Sequence, residues 1–509
     1  MIALKYFSIL FICVLLTTLL SFARIDAAKA DSGIIHVPTI EFPTIQTAID
    51  RANPGDRIYV ASGNYTEHLV INKTLSLIGE NRDTTIVDGF DADTVISIVA
   101  DDVTVEGLTI AKSVLRAYDI GIRVDGKGIS INRTKVVSTS TGVIFYSSTN
   151  SVVSDSVIIN NSNGLMLYYS SNCLFLNNIF SGNAQAVILY FSSVNTFAGN
   201  SFSGNSVGVF LPQSSSRNYF YHNNFEDEVP ISSDSLNTWS RGNEGNYWVD
   251  YNFTGQDLNG DGIYDEPYRI DERNLDYFPL MGPFSEYEIN HGNITQRITI
   301  ISNSTISDLR FRIGDETGNR IISFTAFGES GTKGFCRIMI PTALMPTPYS
   351  VADSTGSIPA SLLAASNETN SYYYFSYLHE NMTISIIYSK ELALYTELLD
   401  KYGKLQTDLV NLNSTYQNLM ANYTLAYQTL LNNFDALLQN ISRLQTDFLS
   451  INSSLQQNLS NQSENVQNFR NLTYIFAALT AAFLITTVHL SSRLHATKKT
   501  RNHDFEMEA

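Results

Sequence analysis

Short runs of alternating apolar and polar residues fill the first half of the chain, and they recur at a fixed interval. Four five-residue runs mark the repeat: Gly142–Tyr146, Gly164–Tyr168, Ala186–Tyr190 and Gly208–Pro212. Serine, asparagine and glycine stand between the runs, as turn residues do between short strands. The 22-residue period predicts a parallel β-helix, since an α-helical repeat would need apolar residues spaced three and four apart.

Alternation within the runs separates an inner face from an outer one. Arg123 and Asp125, one coil earlier, should not be buried without partners, so their columns must face solvent. In later coils the same columns hold apolar and aromatic residues, namely Ile144, Met166, Ile188, Phe210, Tyr146, Tyr168 and Tyr190. Because neighbouring coils lie about 4.8 Å apart, we expect the tyrosines to form a ladder on the surface.

Two interpretations of this exposed strip stay open. In the first, residues 227–283 or the domain that follows them lie over the strip and cover it. In the second, the strip binds carbohydrate, because flat tyrosine rings pack against sugar rings. The predicted ligand-binding residues are Tyr146, Tyr168, Tyr190, Met166 and Phe210.

The segment before the repeat supplies the start of the β-helix. Residues 44–52 carry apolar residues at helical spacing and predict a short helix that covers the open end of the solenoid. This run, with Pro54–Val60, Gly63–Glu67 and Ile71–Gly79, resembles the opening of NosD-like and pectin-lyase-like proteins. The resemblance covers roughly residues 35–283 and implies a right-handed parallel β-helix. It implies no single activity, because that superfamily contains lyases, hydrolases, epimerases and non-catalytic surface proteins.

The resemblance suggests two kinds of chemistry. A lyase or hydrolase of uronic-acid polymers needs clustered carboxylates and a base, for which the nearest candidates are Asp119, Arg123 and Asp125. Later coils carry no matching charges in those columns, so we assign no catalytic residue. The alternative function is a polysaccharide lyase or another carbohydrate-active enzyme of this fold. The NosD resemblance would also imply copper, but the exterior histidines are scattered and copper binding is not supported.

An aspartate-rich stretch follows the last coil, in the pattern D-x-N-x-D-G-x-x-D. Such a pattern supplies oxygen ligands of the kind that calcium requires. The predicted ligands are Asp257, Asn259, Asp261, the carbonyl of Ile263, and Asp265. Tyr268 stands where an EF-hand has its bidentate glutamate, so a full EF-hand is not expected. Similar tails follow the β-helix in NosD-like proteins, and the stretch is either a structural Ca²⁺ loop or a plain turn.

The 22-residue period is lost in the second half of the chain. Alternation with period two predicts an antiparallel β-sandwich over residues 285–389. Beyond it, apolar residues recur every seven from Tyr395 to Ile451, with a phase change near residues 427–433. We predict a self-associating coiled-coil stalk over residues 390–470. The alternative is one long helix folded back on its own domains.

Two apolar segments indicate the topology. Residues 1–30 have the pattern of a signal peptide, ending in the small-x-small sequence Ala28–Ala30. Residues 472–490 carry no charge over a length that can cross a bilayer. Basic residues follow, so the positive-inside rule places residues 491–509 in the cytoplasm. We expect a single-pass cell-membrane protein whose large N-terminal part is extracellular.

Sequons of the form Asn-x-Ser/Thr are frequent in the part expected outside the cell. Their number favours surface glycosylation over chance occurrence in a chain rich in Asn, Ser and Thr. The predicted sites are Asn64, Asn72, Asn132, Asn160, Asn252, Asn293, Asn303, Asn367, Asn381, Asn413, Asn422, Asn440 and Asn452.

Composition and charge limit the function further. The 509 residues are 44% hydrophobic and carry a net charge of -17, which suits several packed domains and argues against nucleic acid as a partner. The predicted fold is mainly β, with a β-helix and its N-terminal cap over residues 31–230 and a C-terminal cap over 231–284, followed by the sandwich, the stalk and one transmembrane helix. We interpret the protein as a membrane-anchored, non-catalytic surface protein that binds carbohydrate or another surface partner.

Overall fold

The computed structural model describes residues 33–505 except 113, 115, 213, 252–255, 293, 315–316, 380–381 and 460–465. The predicted signal peptide lies outside the described residues. The described residues divide into two compact units, one that ends at residue 396 and one that begins at residue 397.

The first unit opens with a parallel β-helix of about ten coils, in which the short helix α1 (Ile45–Arg51) packs on the first strands. Its strands are β1 (Ile34–Val37), β2 (Arg57–Val60), β3 (Gly63–Thr66), β4 (Leu69–Ile71), β5 (Ser76–Gly79), β6 (Thr85–Asp88), β7 (Thr94–Ile98), β8 (Thr104–Glu106), β9 (Thr109–Ala111), β10 (Ile120–Val124), β11 (Ser130–Asn132), β12 (Lys135–Val137), β13 (Thr141–Tyr146), β14 (Val152–Ser154), β15 (Val157–Ile159), β16 (Asn163–Tyr168), β17 (Leu174–Leu176), β18 (Ile179–Ser181), β19 (Gln185–Tyr190), β20 (Thr196–Ala198), β21 (Ser201–Ser203), β22 (Val207–Leu211), β23 (Tyr219–Tyr221), β24 (Asn224–Phe225), β25 (Ile231–Ser233) and β26 (Tyr247–Trp248).

Each complete coil contributes one strand to each of three parallel sheets. Sheet A has the order β1-β2-β5-β8-β11-β14-β17-β20-β23, and sheet B the order β26-β24-β21-β18-β15-β12-β9-β6-β3. Sheet C has the order β25-β22-β19-β16-β13-β10-β7-β4. Equivalent residues of successive coils are therefore hydrogen-bonded neighbours, and a repeat in the sequence becomes a column in space.

Aromatic stacks fill the core of the later coils. Phe175, Phe197 and Phe220 stack from sheet A, and the stack ends on the ring of Trp239. A second stack from sheet B, formed by Phe180, Phe202 and Phe225, ends on Trp248. All eight rings are almost completely buried, so both tryptophans of the chain close the C-terminal end of the core.

Buried asparagines form ladders at the corners between the sheets. Nδ2 of Asn178 donates to the carbonyl of Val153 in the preceding coil at 2.9 Å and to Oδ1 of Asn200 in the next coil at 3.0 Å. The same pattern continues through Asn223 to Asn246. Because an amide side chain both donates and accepts, each member satisfies backbone groups that the turning chain leaves without a strand partner.

Beyond the coils, the hairpin β27 (Tyr268–Arg269) and β28 (Leu275–Asp276) precedes an antiparallel sandwich. The sandwich strands are β29 (Phe284–His291), β30 (Ile294–Ser302), β31 (Thr305–Ile313), β32 (Arg320–Phe327), β33 (Lys333–Pro341), β34 (Ser350–Ala352), β35 (Ser357–Ile358), β36 (Ala360–Leu362), β37 (Asn370–Leu378) and β38 (Met382–Tyr388). Its two sheets have the orders β29-β30-β33-β37-β36 and β31-β32-β38-β34-β35. Apolar residues from both sheets form its own buried core.

Two helices complete the chain. Helix α2 (Lys390–Leu459) is 70 residues long and provides most of the second unit, together with α3 (Val466–Phe505). Within that unit, Phe448 of α2 stacks on Phe476 of α3 with ring centroids 5.9 Å apart. The structure thus confirms the predicted fold class, a right-handed parallel β-helix followed by antiparallel sheets, a long helix and a C-terminal apolar helix.

Candidate functional site

Sheet C carries the two faces expected from the repeat. The inward residues Val143, Phe145, Leu165, Leu167, Val187, Leu189, Val209 and Leu211 are fully buried. The strand register pairs Tyr146 with Tyr168 and Tyr168 with Tyr190, which puts the three tyrosines in one outward column.

We call Tyr146, Tyr168 and Tyr190 the tyrosine ladder. Their rings stack with centroids 5.6 and 4.8 Å apart and interplanar angles of 15° and 20°. The guanidinium of Arg123 lies 4.5 Å from the ring centroid of Tyr146, and Phe210 meets Tyr190 edge-on at 6.5 Å. Neighbouring rings and Arg123 thus stack on the faces of the ladder rings, and all three tyrosines are partly exposed.

The ladder hydroxyls are available to a ligand. Among the described residues, none forms a hydrogen bond with the hydroxyl of Tyr146, Tyr168 or Tyr190. Partial burial, with smaller contributions from the neighbouring tyrosines, raises the pKa of Tyr168, so its hydroxyl keeps its proton at neutral pH. A phenol donates one hydrogen bond and can accept others.

The apolar column beside the ladder differs from expectation. Ile144 and Ile188 face outward, yet they are only 4% and 2% exposed. Met166 and Phe210 are partly exposed, and the hydroxyl of Thr141 contacts Sδ of Met166 at 3.7 Å. The exposed strip is therefore narrower than the alternation predicts.

A second aromatic pair lies next to the ladder, at the corner that follows sheet C. Tyr169 and Phe191 stack with centroids 4.9 Å apart and an interplanar angle of 7°. They are 62% and 50% exposed. The prediction from strand alternation missed them because they follow the strands, although they stand one full repeat apart and that spacing was a visible signal.

The sandwich packs elsewhere on the β-helix. Nδ2 of Asn177, at a corner between sheets A and B, donates to Oε1 of Glu286 at 2.9 Å. Asn224 of sheet B exchanges two hydrogen bonds with the backbone of Phe284, at 2.7 and 2.8 Å. Among the described residues, no hydrogen bond or ring contact joins the tyrosine ladder to residues 231–389. These contacts favour an accessible ladder over a covered one.

The residues of the enzymatic alternative have other partners. Asp119 is 1% exposed, and its Oδ1 lies 2.9 Å from Nζ of the equally buried Lys112. Arg123 and Asp125 form a two-point ion pair, with Nε to Oδ2 at 2.7 Å and Nη2 to Oδ1 at 3.0 Å. The hydrogen bond to Asp125 raises the pKa of Arg123 against the effect of burial, so this guanidinium is poorly suited to act as a base.

Several backbone N–H groups of the aspartate-rich loop donate hydrogen bonds to one carboxylate, that of Asp257. Oδ1 of Asp257 accepts hydrogen bonds from the N–H groups of Gly260 at 2.7 Å and Asp261 at 3.0 Å, while Oδ2 accepts one from Gly262 at 2.9 Å. Oδ2 of Asp265 accepts the N–H of Leu258 at 2.7 Å. Within the described ranges, no group of three His, Cys, Asp or Glu side chains is placed to hold a metal ion. Backbone N–H groups bind the carboxylates of Asp257 and Asp265, and the calcium loop stays a prediction.

Most of the predicted glycosylation sites lie on the surface. Asn132 and Asn452 are partly exposed, while Asn252, Asn293 and Asn381 fall outside the described residues. The exposed asparagines are Asn64, Asn72, Asn160, Asn303, Asn367, Asn413, Asn422 and Asn440. Their exposure permits the modification, and its occurrence stays a prediction.

Comparison with known proteins agrees with the sequence resemblance. Residues 49–253 match the family described as "Periplasmic copper-binding protein (NosD)". A comparison with curated proteins found no significant match. The similar solved structures include a pectin methylesterase from Aspergillus niger, at 15% identity over 42% of this chain and 86% of that one, with a TM-score of 0.29. They also include pectate lyase Pel9A, at 11% identity over 46% of this chain and 86% of that one, with a TM-score of 0.31.

Proposed function

We propose that the protein is a non-catalytic, membrane-anchored surface protein that binds carbohydrate, or another surface partner, through the outer face of sheet C. The tyrosine ladder carries this proposal. It places three hydroxyls without intramolecular partners among the described residues along a partly exposed column of the coils. A row of phenols suits a ligand that offers a row of hydroxyl groups, as an oligosaccharide does.

Charge favours an uncharged ligand. The net charge of -17 repels polyanions such as uronic-acid polymers at long range. On the face itself, the positive charge of Arg123 is compensated by Asp125 at 2.7 Å. A neutral glycan has no charge to be repelled and is held by hydrogen bonds and ring contacts alone.

Anchoring is proposed from the C-terminal helix. Thr473–Ser492 is long and apolar enough to cross a membrane. In the second unit this segment lies along α2, where Phe434, Ile441 and Phe448 line a groove of about 860 Å³ between the helices. The same stretch of α2 contains Arg443 and Asp447, each costly at the bilayer centre. Insertion of the apolar helix into a bilayer would therefore require it to leave α2.

The hydroxyls and the rings of the ladder can be tested separately. Replacing Tyr146, Tyr168 and Tyr190 by phenylalanine keeps the stack and removes three hydrogen bonds, each worth about 0.5–1.5 kcal/mol. We expect retention on a panel of neutral oligosaccharides to weaken at least about tenfold, with an unchanged melting temperature. Tyr219→Phe, at an exposed tyrosine of sheet A, is the matched control.

Replacement of the same three tyrosines by alanine removes the rings as well. Lost retention with an intact melting temperature supports the binding face. A fall in melting temperature without any change in retention would instead assign the ladder to stability. Wild-type protein that retains no glycan of the panel would refute carbohydrate binding.

A further inference from the structure

The corner after sheet C contains bulky residues in an unusual backbone conformation. Tyr169 and Phe191 both have φ of +50°, in the left-handed region that favours glycine and asparagine. At the corner between sheets B and C, Asn160, Gly182 and Gly204 follow that preference, whereas Phe90 at the same corner, and Arg133 and His222 at the corner between sheets A and B, do not. An aromatic residue at such a position is a local cost, which points to a use for the side chain.

Equivalent coils show that the corner does not need aromatic residues. Ser147 stands one coil before Tyr169 with φ of +52°, and Ser214 stands one coil after Phe191 with φ of +74°. Serine therefore adopts the same left-handed conformation at the equivalent position of neighbouring coils. Since Tyr169 and Phe191 are 62% and 50% exposed, their stack also buries little apolar surface. By contrast, the phenylalanine stacks of the core, which do stabilise the fold, are fully buried.

Val194 adds a third exposed apolar side chain to the same turn. Its φ is +63°, although β-branched residues very rarely adopt this region, and its side chain is 39% exposed. The preceding coils have Asn150 and Asn172 at that position, with φ of +56° and +55°. Three residues with an unfavourable backbone conformation thus lie close together in two neighbouring coils.

The pair differs from the tyrosine ladder in having free ring faces. The rings stack along the β-helix axis, so the outer face of Tyr169 is directed toward the coil of Ser147 and that of Phe191 toward the coil of Ser214. Among the described residues, neither ring stacks on any aromatic side chain other than its partner. A flat ligand can therefore lie against an aromatic face above a serine.

The surroundings indicate the chemistry of that ligand. The corner sequences 146–151, 168–173 and 190–195 contain no charged residue and many hydroxyl groups, and the next coil adds one exposed positive charge, Arg217, at the position equivalent to Val194. Two rings and a valine are also far too small for a stable protein interface, which buries about 800 Å² per partner. An aromatic face surrounded by hydroxyl groups suits the apolar face and the hydroxyls of a sugar ring.

We propose that Tyr169 and Phe191, with Val194 beside them, bind a pyranose ring of a neutral glycan by stacking. The inference rests on the proposed carbohydrate-binding function and assigns the stacking contact to this corner pair rather than to the ladder. The ladder then supplies hydrogen bonds to the same glycan, since Tyr168 and Tyr190 directly precede the pair in the chain.

The repeat provides the substitutions for a test. Tyr169→Ser and Phe191→Ser restore the residue of the equivalent coils, and Val194→Asn restores that of Asn172. Because these residues suit the backbone, we expect the full chain to keep or raise its melting temperature. Retention on neutral hexose and N-acetylhexosamine oligosaccharides should fall about tenfold or more in the double serine variant. Tyr219→Ser, with 42% exposure on sheet A, is the matched control and should retain these glycans normally.

Three results would overturn the assignment. Normal retention by the double serine variant, when the ladder variants lose it, would reject the pair but leave the carbohydrate-binding function intact. A lower melting temperature in the serine variants would give the pair a structural role. In the third result, the wild type retains no oligosaccharide and the serine variants change from oligomer to monomer. That result would show that Tyr169 and Phe191 contact a second copy of the chain.

Discussion

Asp276 accepts hydrogen bonds from both the backbone N–H and the side-chain amide of Asn246, at 2.7 and 3.2 Å. This contact ends the asparagine ladder that runs along the corner between sheets A and B. The backbone N–H and side-chain amide of Asn246 still need an acceptor. No further coil follows, so the acceptor does not itself have to donate a hydrogen bond. A carboxylate meets that need because it accepts without donating.

The pH dependence of stability should reveal this ladder end. Burial raises the pKa of Asp276 to about 6, although donors from Trp248, Asn246 and Phe278 oppose the shift. The folded state thus holds the proton more tightly than the unfolded chain, whose aspartates titrate near about 3.9. The stabilising contribution is present below the unfolded pKa and is lost as pH rises through about 6.

Asp276→Asn removes this titration. We predict that its effect on the free energy of unfolding differs between pH 4 and pH 7 by up to about 3 kcal/mol, measured by denaturant titration of the full chain. Asp308→Asn, at an exposed carboxylate of the sandwich, is the control for losing a charge. An identical effect of Asp276→Asn at both pH values would contradict the assignment.

A buried ion pair joins the β-helix to the sandwich. Arg337 is 4% exposed; it donates to Oε1 of Glu244 and, at 2.7 Å, to the carbonyl of Asp261. His222 Nε2 lies 2.7 Å from the second carboxylate oxygen of Glu244. Burial alone would raise the pKa of Glu244, but His222 and Arg337 outweigh it and lower that pKa to about 2.

We predict that Glu244→Gln destabilises the chain by about 3–5 kcal/mol at neutral pH, because the buried Arg337 loses its hydrogen-bonded negative partner and keeps only Oδ2 of Asp261, at 3.9 Å. In the wild type, this contribution is complete above the unfolded glutamate pKa, near about 4.3. It is lost as pH falls toward about 2. Denaturant unfolding at a series of pH values measures both effects. Glu397→Gln, in the exposed pair with Lys401, should change stability little; equal effects of the two variants would refute the prediction.

The repeat shows how far the sequence alone could lead. It predicted the buried column Val143, Leu165, Val187 and the outer tyrosine ladder, since a fixed repeat period determines both register and face. It did not predict the burial of Ile144 and Ile188, because alternation distinguishes the two faces of a strand but carries no information about packing on the outer face. The corner pair was missed for a different reason, because strand alternation carries no information about residues in a left-handed turn.

The polarity of asparagine did not predict the buried asparagine ladders either. An asparagine between strands suggests an exposed turn, yet Asn178, Asn200, Asn223 and Asn246 are fully buried. Their recurrence once in every coil was the available signal. A polar residue that recurs with the period of a solenoid can be a structural column as readily as an apolar one.

The aspartate-rich loop gives a prediction about calcium. The backbone already holds Asp257, and Nη1 of Arg337 lies 3.9 Å from Oδ2 of Asp261, so a neighbouring positive charge opposes cation binding. We therefore expect weak binding, with a dissociation constant of about 10⁻⁴–10⁻³ M, and a melting temperature that rises with Ca²⁺. Asp265→Asn should abolish both effects, whereas Asp83→Asn, at an exposed carboxylate distant in sequence, should leave them unchanged. Absence of heat on titration with Ca²⁺ would exclude the site.

Self-association can be tested on the first half of α2. The heptad positions there are exposed within the single chain and include Leu398, Tyr402, Leu405, Leu409, Leu412, Tyr416, Leu419 and Tyr423. Beyond the phase change, Phe434, Ile441 and Phe448 line the groove toward α3. The change of seam along α2 thus coincides with the start of this groove. We predict that the first half of α2 pairs with another copy of the chain.

Replacing Leu405, Leu412 and Leu419 by glutamine should convert an oligomer of the full chain to a monomer in sedimentation experiments in detergent. The melting temperature of the β domains should stay the same, because these side chains are exposed within one chain. Val410→Gln with Leu425→Gln removes similarly exposed apolar side chains, 66% and 69% exposed, from positions outside both seams. If this control variant dissociates as readily as the seam variant, or if the wild type is already monomeric, the seam does not mediate self-association.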